Sequence, residues 1–166
     1  MLPLERTDRF DVDPLIGIIG ALALCQETDV GIFQVLFLPA RCPWAESLQF
    51  ASLDWNGKPF LADAPELAKS VKIKVEKPLY GAVIRAGARS PSQERANAIV
   101  KSLGGALVQF NSPGSNSLIP LHNEDYPDEI HAENVLQRLT SRSGMLLNLD
   151  ELVNFVHFPS ASIRSA

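Results

Sequence analysis

The sequence predicts an α+β domain with a ferredoxin-like βαββαβ core, in which the first strand is short or missing and a helical insertion interrupts the core. Two observations lead to this prediction. Residues 79–110 combine a strand of period two, a capped amphipathic helix and a second apolar run. An apolar helix at Pro14–Cys25 and a strand at Gly31–Leu38 supply the preceding half of the unit.

Length and composition set the domain organisation. A chain of 166 residues with 46% hydrophobic content is long enough for one ordinary domain with a small extension. We assign residues 1–112 to the core, with the helical insertion at residues 44–77. Residues 113–166 form a loop and a C-terminal extension of two helices that packs on the core.

The first helix is predicted from its cap and its apolar face. Asp13 and Pro14 suit the cap and the first helical position. The apolar run Pro14–Cys25 has twelve residues, against the roughly 20 that a membrane span needs, so it predicts a buried helix. The strand at Gly31–Leu38 is interrupted only by Gln34, which predicts a central strand or one covered on both faces.

The insertion is less regular. Trp44–Leu53 predicts a short helix, residues 54–59 a turn, and Ala64–Lys74 a second helix. The second helix carries three lysines that are expected to point to water, namely Lys69, Lys72 and Lys74.

The strand at Leu79–Ala88 has two different faces. One face is apolar and mostly small, which lets a helix approach closely. The other carries Arg85 and Arg89, so it is expected to meet water, a partner or an anion.

The following helix is predicted to begin at a cap and to end at a glycine. Ser90 is the expected cap, Pro91 the first helical residue and Gln93 the partner in a capping box. Gly104 is placed to end the helix in a left-handed conformation.

The C-terminal part predicts one strand, a long loop and two helices. Ala106–Phe110 is the expected strand and residues 111–128 the loop. A helix is predicted over Asp128–Ser141. A capping box at Asn148 and Glu151 then opens the last helix, which Pro159 ends.

Charge and cysteine usage exclude some classes of protein. The formal net charge of −4 argues against a protein whose whole surface wraps nucleic acid. Cys25 and Cys42 have neither metal-ligand nor redox spacing, which favours reduced thiols in a cytoplasmic protein over a disulfide. The N-terminus lacks the apolar segment of a signal peptide, and no membrane insertion is expected.

The sequence contains no recognised catalytic, nucleotide-binding or metal-binding motif. The phosphate-loop, dinucleotide and nucleophile-elbow motifs are absent from the sequence. One cluster contains histidines and carboxylates, but its spacing matches no standard metal site and a polar loop is the preferred interpretation; it comprises His122, Glu124, Asp125 and His131. His157 is expected to bind the last carbonyls of a helix. The expectation is a chain that is not an enzyme and has no cofactor or metal.

Four arginines are the candidate binding residues. Arg85 and Arg89 could bind an anion, a nucleic-acid backbone or an acidic partner bidentately, or could pair with carboxylates of the same domain. Arg138 and Arg142, one helical turn apart, present the same alternatives, with an ordinary exposed role favoured.

Several short segments are similar to a known family. They are residues 11–15 (DVDPL), 33–36 (FQVL), 82–85 (AVIR), and above all 143–152 (SGMLLNLDEL) running into 157–159 (HFP). These segments resemble the region that precedes the ATP-binding cassette in conjugative coupling-protein and HerA-like DNA-translocating ATPases. The sequence stops before any phosphate loop, so no catalytic residue of the family can be placed on it.

The resemblance implies a non-catalytic accessory or assembly domain that belongs to, or works with, a DNA-transfer ATPase. Its partners would be the motor domain or neighbouring subunits, and a sheet face with few charges would also suit homo-oligomer formation. The alternative is a nucleic-acid-binding module that uses the arginines together with Lys72 and Lys74, and whose affinity falls steeply with salt.

Overall fold

The computed structural model describes residues 2–41, 43–54, 56–58, 65–121, 127–141 and 144–159. These residues form a mixed α+β fold with a three-stranded antiparallel sheet. The strands are β1 (Val30–Pro39), β2 (Leu79–Arg89) and β3 (Met145–Asn148). The helices are α1 (Leu15–Ala23), α2 (Trp44–Ala51), α3 (Pro65–Val75), α4 (Gln93–Ala106), α5 (Asp128–Leu136) and α6 (Leu149–Val156), and short 3₁₀ turns lie at Thr7–Arg9 and Leu107–Phe110.

The sheet has the order β1-β2-β3. β1 pairs with β2 without interruption, from Val30 opposite Arg89 to Pro39 opposite Tyr80. β3 pairs with the other side of β2, where Leu79 lies opposite Asn148. The predicted strand β1 is therefore present, but it lies at an edge of the sheet rather than at its centre.

One face of the sheet is covered by α1 and α4, which pack against each other. The alanines of β2 on this face let α4 approach closely, as the small side chains predicted, and Ala82 is only 2% exposed. The C-terminal segment contributes to the same core. The core side chains are Leu4, Leu15, Ile18, Ala21, Ala82, Ile99, Leu103, Phe110, Leu147, Leu152 and Phe155.

Helix α4 is confirmed, but both of its ends differ from the prediction. Ser92, not Ser90, is the cap, because its backbone is extended and its hydroxyl accepts the Arg95 N–H at 3.4 Å. Pro91 consequently precedes the helix. Gly104 does not end α4, since the helix runs to Ala106 and continues directly into the 3₁₀ turn.

The strand predicted at Ala106–Phe110 is wrong, because residues 107–110 form a 3₁₀ turn. A short apolar run does not distinguish a strand from a helical segment. Packing decides between them here. Phe110 is completely buried, with its ring centroid 4.2 Å from that of Phe155 and 5.6 Å from that of Phe10.

The capping box that opens α6 is confirmed. The Asn148 side chain accepts the Glu151 N–H at 3.0 Å, and the Glu151 carboxylate accepts the Asn148 N–H at 2.6 Å. Helix α5 is shorter than predicted and ends at Leu136. Strand β3 was not predicted, because four residues are too few to show a period.

Gly144, immediately before β3, lies against the backbone of β2. A Cβ atom at this position would be 2.3 Å from the carbonyl oxygen of Ala82. The close approach of the two backbones therefore requires glycine.

Helices α2 and α3 were predicted to within about two residues at each end. Within the described ranges, no helix has the length and apolar character that crossing a membrane requires.

Candidate functional site

Lys74 of α3 and Glu151 of α6 form a completely buried ion pair. Their side chains are both 0% exposed, and Lys74 Nζ lies 2.6 Å from Glu151 Oε2. Lys74 Nζ also donates to the carbonyl oxygen of Leu146 in β3 at 2.7 Å. The ion pair thus joins α3 to both the last strand and the last helix.

The expectation that Lys74 points to water is wrong, whereas Lys69 and Lys72 are exposed as predicted. A sequence signal for its burial exists, since Leu67, Val71 and Lys74 recur at i, i+4 and i+7 on one face of α3. Burial lowers the pKa of Lys74 from its ordinary value, because a charged amine is disfavoured away from water, although the Glu151 carboxylate opposes this shift.

The Glu151 carboxylate also binds the N-terminal segment. Glu151 Oε1 accepts the Leu4 N–H at 2.5 Å. Beside it, the Asn154 side chain donates to the carbonyl oxygen of Glu5 at 3.0 Å, and the Thr7 hydroxyl donates to that of Asp150 at 2.8 Å. We call the set Leu4, Lys74, Leu146, Asn148 and Glu151 the buried ion-pair network.

A second polar contact joins the start of α1 to the end of α6. His157 Nε2 lies 3.0 Å from Asp13 Oδ1, and Nδ1 lies 2.8 Å from the carbonyl oxygen of Val153. The predicted contact of His157 with the last carbonyls of its helix is confirmed. Asp13 Oδ1 also accepts the Leu15 N–H at 2.9 Å, as a capping residue does.

Arg85 lies on the sheet face opposite α1 and α4 and binds the C-terminal end of α5. Its Nη1 donates to the carbonyl oxygen of Leu139 at 2.7 Å, and its Nη2 donates to that of Asn134 at 3.3 Å. Nη2 also donates to the side chain of Gln34, which faces it across β1 and β2. Gln34 in turn donates to the carbonyl oxygen of Val135 at 3.2 Å. The guanidinium therefore meets the negative end of a helix dipole.

Arg138 forms the turn that brings these carbonyls together. Its φ of 57° is the only positive φ of a non-glycine residue in the described part of the chain. The Leu139 N–H bonds to Asn134 O at 2.9 Å and the Arg138 N–H to Val135 O at 3.4 Å. These two bonds define a Schellman motif, in which the left-handed position is usually glycine.

Two of the four candidate arginines belong to the same part of the structure. Arg85 binds the carbonyl of Leu139, the neighbour of Arg138. Arg89 lies on the same sheet face as Arg85, about 13 Å away along the strand, and is exposed. Arg142 lies outside the described residues.

An ion pair between Asp29 and Arg95 was not predicted. Arg95 Nε lies 2.6 Å from Asp29 Oδ2, and Arg95 Nη2 donates to the carbonyl oxygen of Leu24 at 3.0 Å. Hydrogen bonds from the Gln26 backbone, from Ser90 and from Arg95 lower the pKa of Asp29 below its usual range. The pair joins the start of α4 to the turn before β1.

Most of the candidate metal-ligand cluster lies outside the described residues. These include His131 but not His122, Glu124 or Asp125. Among the residues that the structure describes, no group of three histidines, cysteines or carboxylates is arranged to hold a metal ion. A shallow pocket between the N-terminal segment and β3 is lined by Leu4, Asn116, Leu118, Met145 and Leu147, among others.

Comparison of the chain with protein-family models, with curated proteins and with solved structures gives no match in any of the three.

Proposed function

We propose that this chain is a non-catalytic assembly domain that belongs to, or works with, a DNA-transfer ATPase of the conjugation type. It makes protein–protein contacts with the motor domain or with neighbouring subunits. The observation that supports this proposal most is that residues in the segments resembling the family make contacts inside the domain. Asp13, Asn148, Glu151 and His157 are all engaged in contacts within the domain, as residues of an architectural element would be.

The contact between Asp13 and His157 joins two of the resembling segments. The segment at residues 11–15 and the segment at residues 157–159 are far apart in the sequence but meet through this pair. Residues that join two distant segments in this way serve the fold rather than a reaction centre, which favours an accessory role.

The finer fold proposed for this domain is ferredoxin-like, with the 3₁₀ turn at Leu107–Phe110 in place of the last strand; strand pairing and helix placement support it. In that fold, a hairpin of the second and third strands is flanked by two helices on one face, and the first strand lies antiparallel to the third. Here β1 and β2 are the corresponding antiparallel pair, although α2 and α3 lie between them in the chain, and α1 and α4 cover one face. The last strand, β3, lies where the first strand of that fold would lie.

The contact surface that we propose lies on the outer side of α6 and the residues that follow it. Leu152 and Phe155 face the core, whereas Leu149 and Val156 are 38% and 40% exposed, and Phe158 is 97% exposed. Leu149 and Val156 are seven residues apart and so share one helix face. An apolar stripe that ends in an uncovered aromatic ring is typical of a surface that a protein partner covers.

The test is co-expression with a DNA-transfer ATPase from the same genome, followed by size-exclusion chromatography. We expect the two proteins to co-elute and Phe158→Asp to abolish co-elution. Phe50→Asp is the matched control, since Phe50 is an apolar residue of α2 that is 74% exposed. Failure of the wild-type pair to co-elute, or equal loss with both variants, would contradict the proposal.

DNA binding remains a second candidate because Arg89 and Arg138 are exposed. Lys74 does not contribute to DNA binding, since its amine is buried with Glu151. Fluorescence anisotropy with single- and double-stranded DNA at two salt concentrations tests this function, because phosphate contacts weaken steeply with salt. Absence of binding at low salt excludes it, and binding that Arg89→Ala and Arg138→Ala both weaken supports it.

A further inference from the structure

The outer edge of β1 pairs with no strand of the described residues, and it has unusual properties for an edge strand. β1 has ten residues, pairs with β2 without a bulge and contains no charged side chain. Edge strands normally carry charges, prolines or bulges that prevent pairing with another chain. Here the only such feature is Pro39, at the last position of the strand.

The hydrogen-bond pattern identifies the backbone groups that face outward. The Ala40 N–H donates to the carbonyl oxygen of Leu79 at 2.9 Å, so the pair 40/79 is a hydrogen-bonded pair. Because such pairs alternate along an antiparallel ladder, the even-numbered residues of β1 direct their N–H and C=O groups to β2. The odd-numbered residues Gly31, Phe33, Val35 and Phe37 direct theirs away from the sheet, and no hydrogen bond to these groups is found in the described part of the chain.

We infer that this edge pairs with the same edge of a second copy, antiparallel and about a two-fold axis at Gln34, to form a continuous six-stranded sheet. In this register Gly31 lies opposite Phe37 of the partner subunit, and Phe33 lies opposite the partner's Val35. The N–H of each of these residues has no partner among the described residues, so both of these pairs can exchange two hydrogen bonds. In this register Pro39, which has no N–H, falls opposite the partner's Asp29, outside β1, whereas a register centred on Val35 would place it opposite Gly31 within the strand.

The side chains of β1 are self-complementary in the same register. The exposed apolar residues lie at the two ends of the strand, where Val30 is 43%, Phe37 48% and Leu38 62% exposed. The two-fold axis places Leu38 opposite Val30 of the partner subunit. It places Phe37 opposite the partner's Gly31. In each subunit the side chains of Leu22 and Cys25 lie where a side chain of Gly31 would be. Each exposed apolar side chain thus meets an apolar surface.

The absence of charge favours a second copy as the occupant. Two identical strands that carried a charge would bring like charges close together in at least some registers, which is unfavourable. β1 brings together only apolar side chains and, at the axis, Gln34 with its copy. This edge is separate from the outer side of α6, and the inference does not depend on the proposed partner ATPase.

A charge exchange tests both the pairing and its register. Sedimentation over a concentration series of the full chain alone should give a dimer of twice the 18.1 kDa chain mass. Val30→Glu and Leu38→Lys should each weaken the dimer about tenfold or more, since each change occurs twice in a two-fold interface. The double variant should recover the affinity, because the introduced carboxylate lies opposite the introduced ammonium of the partner subunit.

The matched control is Val108→Lys, because Val108 is 63% exposed but lies in the 3₁₀ turn after α4. It should leave the dimer unchanged, and circular dichroism should show that all variants are folded. A monomeric wild-type chain would overturn the inference. So would a dimer that tolerates Leu38→Lys, or a double variant no tighter than the single ones.

Discussion

Lys74 and Arg85 are both cations that hold a distant segment of the chain, and they differ in their surroundings. Lys74 is completely buried and its main partner is a carboxylate that is equally buried. Arg85 is half-buried, and its partners in α5 and β1 are backbone carbonyls and an amide side chain. The charge of Lys74 is compensated by Glu151, whereas the carbonyl and amide groups that Arg85 binds in α5 and β1 are neutral dipoles. Loss of Lys74 should therefore destabilise the whole domain, and loss of Arg85 should release one helix.

The largest effect is expected for Lys74→Met, which should lower the free energy of unfolding by about 3–5 kcal/mol because it leaves the buried Glu151 carboxylate without a counter-ion. Urea unfolding followed by circular dichroism measures this loss. The double variant Lys74→Met/Glu151→Gln should lose less than the sum of the two single variants. Additive losses would show that the two side chains do not interact.

Arg85→Ala should have a smaller and more local effect, of about 1.5–3 kcal/mol for hydrogen bonds from a charged donor. The amides of α5 should exchange with solvent much faster, while those of β2 keep their protection. Arg89→Ala on the same face is the matched control and should change stability by less than about 0.5 kcal/mol. Equal protection of α5 in both variants would contradict the assigned role of Arg85.

Arg138→Gly should stabilise the domain by up to about 1 kcal/mol, since glycine adopts the left-handed conformation at residue 138 without the steric cost that other residues have. Arg138→Ala removes the same charge but keeps that cost, so it should give no gain. Thermal unfolding of the two variants separates the backbone effect from the charge effect. A gain with alanine as well would mean that the arginine charge, not its backbone, is unfavourable.

The smallest effect is a difference in pH dependence. Burial lowers the pKa of Lys74 below 10.5. Between the lowered pKa and 10.5, the unfolded chain holds a proton on Lys74 that the folded chain does not. In this range the free energy of unfolding therefore increases as the pH rises. This slope should disappear in Lys74→Met/Glu151→Gln. It should persist in Arg85→Ala, because a guanidinium does not titrate in that range. Urea unfolding at several pH values below 10.5 measures both.

The elements predicted well from the sequence are those with local signals. β1 and β2 follow from their composition and length, and α6 follows from a capping box that lies within four residues of sequence. The end of α4 and the turn at Leu107–Phe110 were predicted wrongly. Their conformation is decided by packing of Phe110 on Phe155, a residue of a distant helix.

The candidate site depended on contacts that no local pattern shows. Lys74 and Glu151 are 77 residues apart in sequence, and the carbonyls that Arg85 binds are 49 and 54 residues away. The sequence could identify Arg85 as a residue in need of an acceptor. It could not identify the end of α5 as that acceptor, because every helix ends in free carbonyls.

The contacts of α6, which lies near the C-terminal end of the described chain, with residues near the N-terminal end have a mechanical consequence. Leu4 and Glu5 bind Glu151 and Asn154, and Asp13 binds His157. A force applied between the N-terminal segment and residue 157 would therefore be carried by α6 and these few hydrogen bonds. The strands of the sheet lie outside that line of load. A domain built in this way can bear a pull between these two segments while its sheet stays in place.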